Sequence, residues 1–189
     1  MSLHAKLCNL AEWGHAFRYW YDDARDYIVG ECARQDWDHD EFINIMALTS
    51  PRISVKRNWD VTVNLMAGGS EKKQGIILST RIALAHYKKT GEIRGPKTEA
   101  FARALHGDTT ALVLDTWMAK ALGVPHAKVT QVGTMAWAKG LMAAVAEHHG
   151  LCMRDAQAAV WAGVCKSHGV TPGTLETAVI RTSQMGWEF

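Results

Sequence analysis

The 189-residue chain has no run of about 18 consecutive apolar residues, so its sequence predicts no membrane-spanning helix. It has no GxxxxGK[ST] pattern either; its glycine-rich stretch, Ala67–Gly75 (AGGSEKKQG), is expected to be a plain loop. Charge of one sign is also missing. The chain carries 21 Lys and Arg against 19 Asp and Glu, a formal net charge of +2, so any basic face must come from local clustering. Cysteine is sparse: Cys8, Cys32, Cys152 and Cys165 have no close partners in sequence and are expected to be free thiols. The first residues (MSLHAKLCNLAEWG) lack the basic start and continuous apolar core of a signal peptide, and a cytoplasmic (intracellular) location is expected. No segment longer than four residues alternates with the period of a strand, and no internal repeat is visible.

What is present is helical periodicity. Leu3 to about Arg34 carries a broad apolar stripe and is expected to form one or two helices. Its aromatic group Trp13, Phe17, Tyr19, Trp20 and Tyr21 suits a core-facing helix side, with pocket lining as the alternative. Further helices are expected over Glu41–Thr49, Ile53–Met66, Ile76–Thr90, Thr130–Glu147 and Met153–Ser167, with a last short one opening at Thr171-Pro172. Ser50-Pro51-Arg52 breaks the second from the third, because proline restricts the residue before it. Arg52, Lys56 and Arg57 cluster at that joint, as phosphate contacts or as an ordinary solvated edge. His148, His149, Cys152, Cys165 and His168 offer metal-ligand chemistry late in the chain. Their spacing, HHxxC…CxxH, fits none of the usual patterns, and no metal is expected.

The stretch Gly91–Gly123 carries the chemistry. Gly95-Pro96 opens a helix that His106-Gly107 closes, since proline suits the first turn and glycine the left-handed cap. Ala111–Leu114 is a buried connector, and Asp115 stands at the N-cap of a second helix, Thr116–Leu122, closed by Gly123. Two ionisable groups therefore mark two helix starts. The helix dipole disfavours a charge on Lys97 and favours one on Asp115. A lysine eased toward neutrality and a firm carboxylate make a nucleophile and its electrostatic partner.

These residues resemble the helix-hairpin-helix DNA glycosylases, the group of endonuclease III and the archaeal 8-oxoguanine glycosylases. Gly95-Pro96-Lys97-Thr98, with Phe101 following, is similar to the hairpin and second-helix start where bifunctional members carry a catalytic lysine. Val113-Leu114-Asp115-Thr116 is similar to the apolar run that ends in their catalytic aspartate. Phe42–Val55 resembles an early helix ending in a polar turn that meets DNA, and Ala156–Cys165 resembles the last family helix. The likeness spans about Phe42 to Cys165. The family hairpin has two glycines flanking an apolar residue; here only Gly95 stands, in a shorter loop. The four-cysteine iron–sulfur pattern is missing, so no cofactor is expected.

The resemblance implies an all-α fold, a compact single domain (1–189) of two lobes around a helix-hairpin-helix unit. Residues 40–123 would form the lobe with the hairpin, and residues 1–35 plus 124–189 the other. It implies a glycosylase-like enzyme on double-stranded DNA, releasing a damaged or modified base and cutting at abasic sites through a lysine Schiff base. Lys97 and Asp115 would be catalytic. Arg52, in its turn with Ser50, would fill the space of the flipped nucleotide. Lys56, Arg57, Arg94 and the amides near Gly95 would grip phosphates. Two other readings stay open: an enzyme that modifies a DNA base on the same fold, and a non-catalytic all-α module binding DNA or protein.

Overall fold

Small residues decide how the helices of this chain approach one another. In the computed structural model, which describes residues 1–177, the order is α1 (Leu3–Gly14), α2 (Trp20–Gln35), α3 (His39–Thr49), α4 (Val55–Met66), α5 (Leu78–Thr90), α6 (Pro96–Leu105), α7 (Thr116–Leu122), α8 (Val132–His149) and α9 (Met153–Ser167). Short 3-10 turns intervene at His15–Phe17, Glu71–Gln74 and His126–Lys128. No strand occurs among the described residues, and no helix among them is long and apolar enough to cross a membrane.

The helix ends follow their capping side chains. Asp38 accepts the N–H groups of Asp40 (2.8 Å) and Glu41 (3.0 Å), so α3 begins at His39, earlier than the expected Glu41. Ser54 accepts from Arg57 N–H (3.2 Å), so α4 begins at Val55 and Ile53 stays outside it. The helices expected from Ile76 and Thr130 start at Leu78 and Val132. Near the end of the described residues, helix begins at residue 175 and not at Thr171-Pro172. There Thr174 takes the capping role, its Oγ1 accepting from Thr177 N–H (3.1 Å), and the residues after 177 lie outside those described.

Packing divides the chain into two compact units. The first holds Met1–Asp22 and Arg103–Pro172; the second holds Asp23–Ala102 with the segment from Gly173. The divisions therefore fall inside α2, inside α6 and after Pro172. In the first unit α9 is the central element, buried over nearly its whole length, against α1, α7 and α8. Leu7, Leu10, Met118, Met142, Val145, Ala159 and Val160 form much of its core. In the second unit Ile45, Leu48, Val61, Ile76 and Leu84 pack together, with Tyr87 and Ile93 against them. Ile93 thereby anchors the turn between α5 and α6 to a core.

The α1–α9 contact is backbone on backbone. A Cβ at Gly163 would lie 1.9 Å from the Leu10 carbonyl oxygen, and one at Gly14 would lie 1.9 Å from the Ala159 carbonyl oxygen. No side chain occupies either gap, so the two helices meet at the distance that glycine permits.

Two expectations follow. Gly163→Ala should cost about 3 kcal/mol by overpacking, although alanine at a roomy helical site would gain about 1 kcal/mol. A urea-unfolding midpoint that stays put or rises would refute the close contact. The turn after α6 should resist acid. Asp108 is held at about 2 by the Thr110 hydroxyl and backbone N–H and by Arg103. A lowered folded-state pKa gives stabilisation that is complete above the unfolded carboxylate value of about 3.9. It is lost as pH falls through about 2. Titration followed through the Thr110 amide shift should show that low midpoint.

Candidate functional site

The joint between α3 and α4 is fixed from beneath by a buried polar stitch. Asn58 accepts at Oδ1 from the Thr49 hydroxyl (2.7 Å) and donates from Nδ2 to the Met46 carbonyl (3.0 Å). Thr62 donates to the Asn58 carbonyl (2.8 Å). Thr49, Asn58 and Thr62 are all buried, so this network sets the angle at which the chain leaves one helix for the next. Above it, the Ser50 hydroxyl donates to the Ala47 carbonyl (2.8 Å). Pro51 ends α3, and Arg52 follows with φ +64. A positive φ is uncommon for a residue with a Cβ and marks stored backbone strain. It sets an exposed arginine at the tip of a rigid turn.

Lys97, half-buried in the first turn of α6, reaches the same turn. Its Nζ donates to Ser50 Oγ (3.1 Å) and lies 3.5 Å from the Ser50 carbonyl oxygen. The Ser50 hydroxyl is thus oriented by Ala47 to present a lone pair to the lysine. Before α6, Gly95 sits at φ +110, where L side chains are strained, and Thr98 donates to the Arg94 carbonyl (2.8 Å). The structure therefore brings Lys97, Ser50 and Arg52 together within one unit. Of the other cations expected to meet DNA, Lys56 pairs with Asp60 (2.9 Å) and Arg57 donates to the Gln74 carbonyl (2.6 Å). Arg94 is exposed.

Asp115 belongs to the other unit. It caps α7 as the sequence predicts, accepting from Met118 N–H (2.8 Å). Its charge is felt by two buried neighbours. The Tyr21 hydroxyl is pushed far above its usual range by burial and then by Asp115. The Cys165 thiol is pushed up to about 12 by burial and then by Asp115, against Lys120. Tyr21 donates to Gln157 Oε1 (2.8 Å) in a buried setting.

Beside them lies a cation that sequence reading missed. Arg154 is buried in the first turn of α9. It donates from Nε to Asp155 (3.0 Å) and from a terminal nitrogen to Asp22 (2.5 Å), with another 3.5 Å from the Ala104 carbonyl. Its backbone N–H donates to the Thr109 carbonyl (3.1 Å). The clue in the sequence is an Arg-Asp pair opening a helix that is otherwise almost all small and apolar. A buried arginine needs partners on several sides, and here the start of α2, the end of α6 and the loop after it supply them.

The late histidines and cysteines do not converge as one set. His168 Nδ1 lies 2.9 Å from the Val164 carbonyl oxygen, and its ring packs edge-on against Trp117. Cys165 is buried elsewhere in the core. His148 and His149 instead meet Cys8.

A model of a family of unknown function (DUF7178) matches residues 12–168 of the chain. No curated protein and no solved structure matches it.

Replacing Arg154 should expose what its charge holds together. Arg154→Met leaves Asp155 buried without its cation and should cost about 3 kcal/mol. Asp22→Asn, at a side chain 44% exposed, should cost under about 1 kcal/mol. Equal losses in urea unfolding would show that Arg154 acts through its contact with Asp22 and not through the buried pair with Asp155.

Proposed function

The chain belongs to the DUF7178 family, which has no known function, and from its own chemistry we propose a DNA glycosylase-like enzyme that releases a damaged or modified base. The observation that carries the reading is the junction of Lys97 with the Ser50-Pro51-Arg52 turn. A half-buried lysine held at a strained turn that presents an arginine suits a nucleophile next to an intercalating side chain. We read α5, the turn through Gly95 and α6 as a helix-hairpin-helix.

The chemistry then runs as follows. The enzyme flips the target nucleotide from the duplex, at a cost of a few kcal/mol in stacking and pairing. Arg52 fills the vacated space, and Arg94 with the amides near Gly95 holds the phosphates. The neutral amine of Lys97 attacks C1′. The new N–C1′ bond forms as the glycosidic bond breaks; the base leaves with that electron pair and takes up a proton. Ring opening gives an iminium on Lys97, and loss of a C2′ proton then expels the 3′-phosphate. Asp115 is assigned the stabilisation of positive charge on the sugar.

The full-length chain should form a borohydride-trapped covalent complex with duplex DNA bearing an abasic site or an altered base. Lys97→Ala should abolish trapping. Asp115→Asn should slow base release about 10²-fold or more. Arg52→Ala should weaken base release while sparing trapping on a preformed abasic site, where less stacking is lost. No trapping across a panel of lesions would remove the lyase step, and an unaffected Asp115→Asn would remove the carboxylate role. Modification of a base that persists in Lys97→Ala, without base release, would replace this reading with a base-modifying enzyme.

A further inference from the structure

In the first unit, four side chains with metal-ligand chemistry gather where the start of α1 meets the end of α8. Cys8 Sγ, a ring nitrogen of His148 and a ring nitrogen of His149 all lie within 4.8 Å of one another. His4, one helical turn before Cys8, faces the same way, with its Nε2 3.7 Å from Cys8 Sγ. Its ring stands edge-on to His148 at 6.0 Å, and His148 stands edge-on to His149 at 4.9 Å.

A second observation is independent of this convergence. His149 Nε2 is buried and has no hydrogen-bond partner. A buried imidazole nitrogen without a partner is costly, and native structures rarely leave one so. We infer that Cys8, His148 and His149, with His4 as the fourth ligand, form a zinc site that ties α1 to the end of α8.

The geometry suits that ion. Thiolate and imidazole donors favour zinc over magnesium or calcium, which take oxygen. Ligand atoms around a tetrahedral zinc lie about 3.3–3.6 Å apart, from metal–sulfur and metal–nitrogen bonds of about 2.3 and 2.0 Å. The Cys8–His4 separation of 3.7 Å is close to that range, and Cys8, His148 and His149, within 4.8 Å of one another, draw in to close the site. On binding, the Cys8 thiol gives its proton to solvent as the S–Zn bond forms. The three histidines bind as neutral imidazoles through ring-nitrogen lone pairs. His148 is exposed and gives the ion its way in, whereas Cys8 is buried and fixes the inner side of the site. Sequence spacing hides the set, since its halves lie at opposite ends of the chain. The zinc would act on the first unit alone and rests on no part of the glycosylase reading.

The test is metal binding by the full-length chain. Zinc should bind one ion per chain and raise the thermal unfolding midpoint, with chelator lowering it again. Cobalt(II) should give the intense visible bands of a tetrahedral ion and a thiolate-to-metal charge-transfer band. Cys8→Ser should remove that band, and His149→Ala should lower zinc affinity about a hundredfold. His4→Ala should lower it about tenfold. Cys152→Ser and His168→Ala, which change the other candidate ligands, should leave binding intact. A wild-type cobalt spectrum without the thiolate band would overturn the site whatever the variants do. So would stoichiometric zinc binding that survives both Cys8→Ser and His149→Ala, or is lost in Cys152→Ser.

Discussion

The backbone contact between α1 and α9 is the constraint on which the first unit depends. Gly14 and Gly163 let two helices meet where any side chain would strike a carbonyl oxygen. That closeness has a consequence for α9. A helix clasped so tightly along one side, with α7 and α8 on others, has almost no exposed face. Its polar residues must therefore be satisfied inside the protein, and Arg154, Asp155 and Gln157 are. The buried ion pair and the Tyr21–Gln157 bond are the direct result of the glycine contact, not separate ornaments on the core. The same contact sets the position of α1 and so brings Cys8 to its meeting with His148 and His149.

The second unit is organised differently. Its buried apolar residues include Phe42, Ile43, Met46 and Trp59 beside the set around Leu84, and a buried polar stitch, Thr49–Asn58–Thr62, joins α3 to α4. Such a network costs little when every member is satisfied and fixes geometry better than apolar packing does. The feature it fixes is the turn carrying Ser50 and Arg52. Positive φ at Arg52 survives because the helices on either side are locked to each other beneath it.

Helix ends were legible in the sequence because they are local. Asp115 at its cap and the glycine stops at Gly107 and Gly123 follow from the conformations those residues prefer, and the structure has them so. Boundaries slipped by a residue or two where a neighbouring side chain capped better, as Asp38 and Ser54 do. The contacts that make the candidate sites were illegible for a different reason. Tyr21 and Gln157 are 136 residues apart, and Cys8 is farther still from His149. Grouping histidines and cysteines by nearness in sequence put His148 and His149 with Cys152 and Cys165, when a helix end delivers them to α1 instead. A pattern search sees spacing within a segment. It has no access to which two helix ends meet.

Lys97 shows how the local and the long-range parts combine. The start of α6 disfavours a charge on this side chain, a local effect readable from sequence. The contact with Ser50 is long-range and fixes where the Nζ lies. A neutral amine keeps two N–H donors, enough for both Ser50 oxygens, so losing the third proton does not release the nitrogen from its position. Ser50 accordingly holds the side chain in either protonation state. The hydroxyl, itself fixed by Ala47 and by the stitch below, sets the direction in which the Lys97 side chain points.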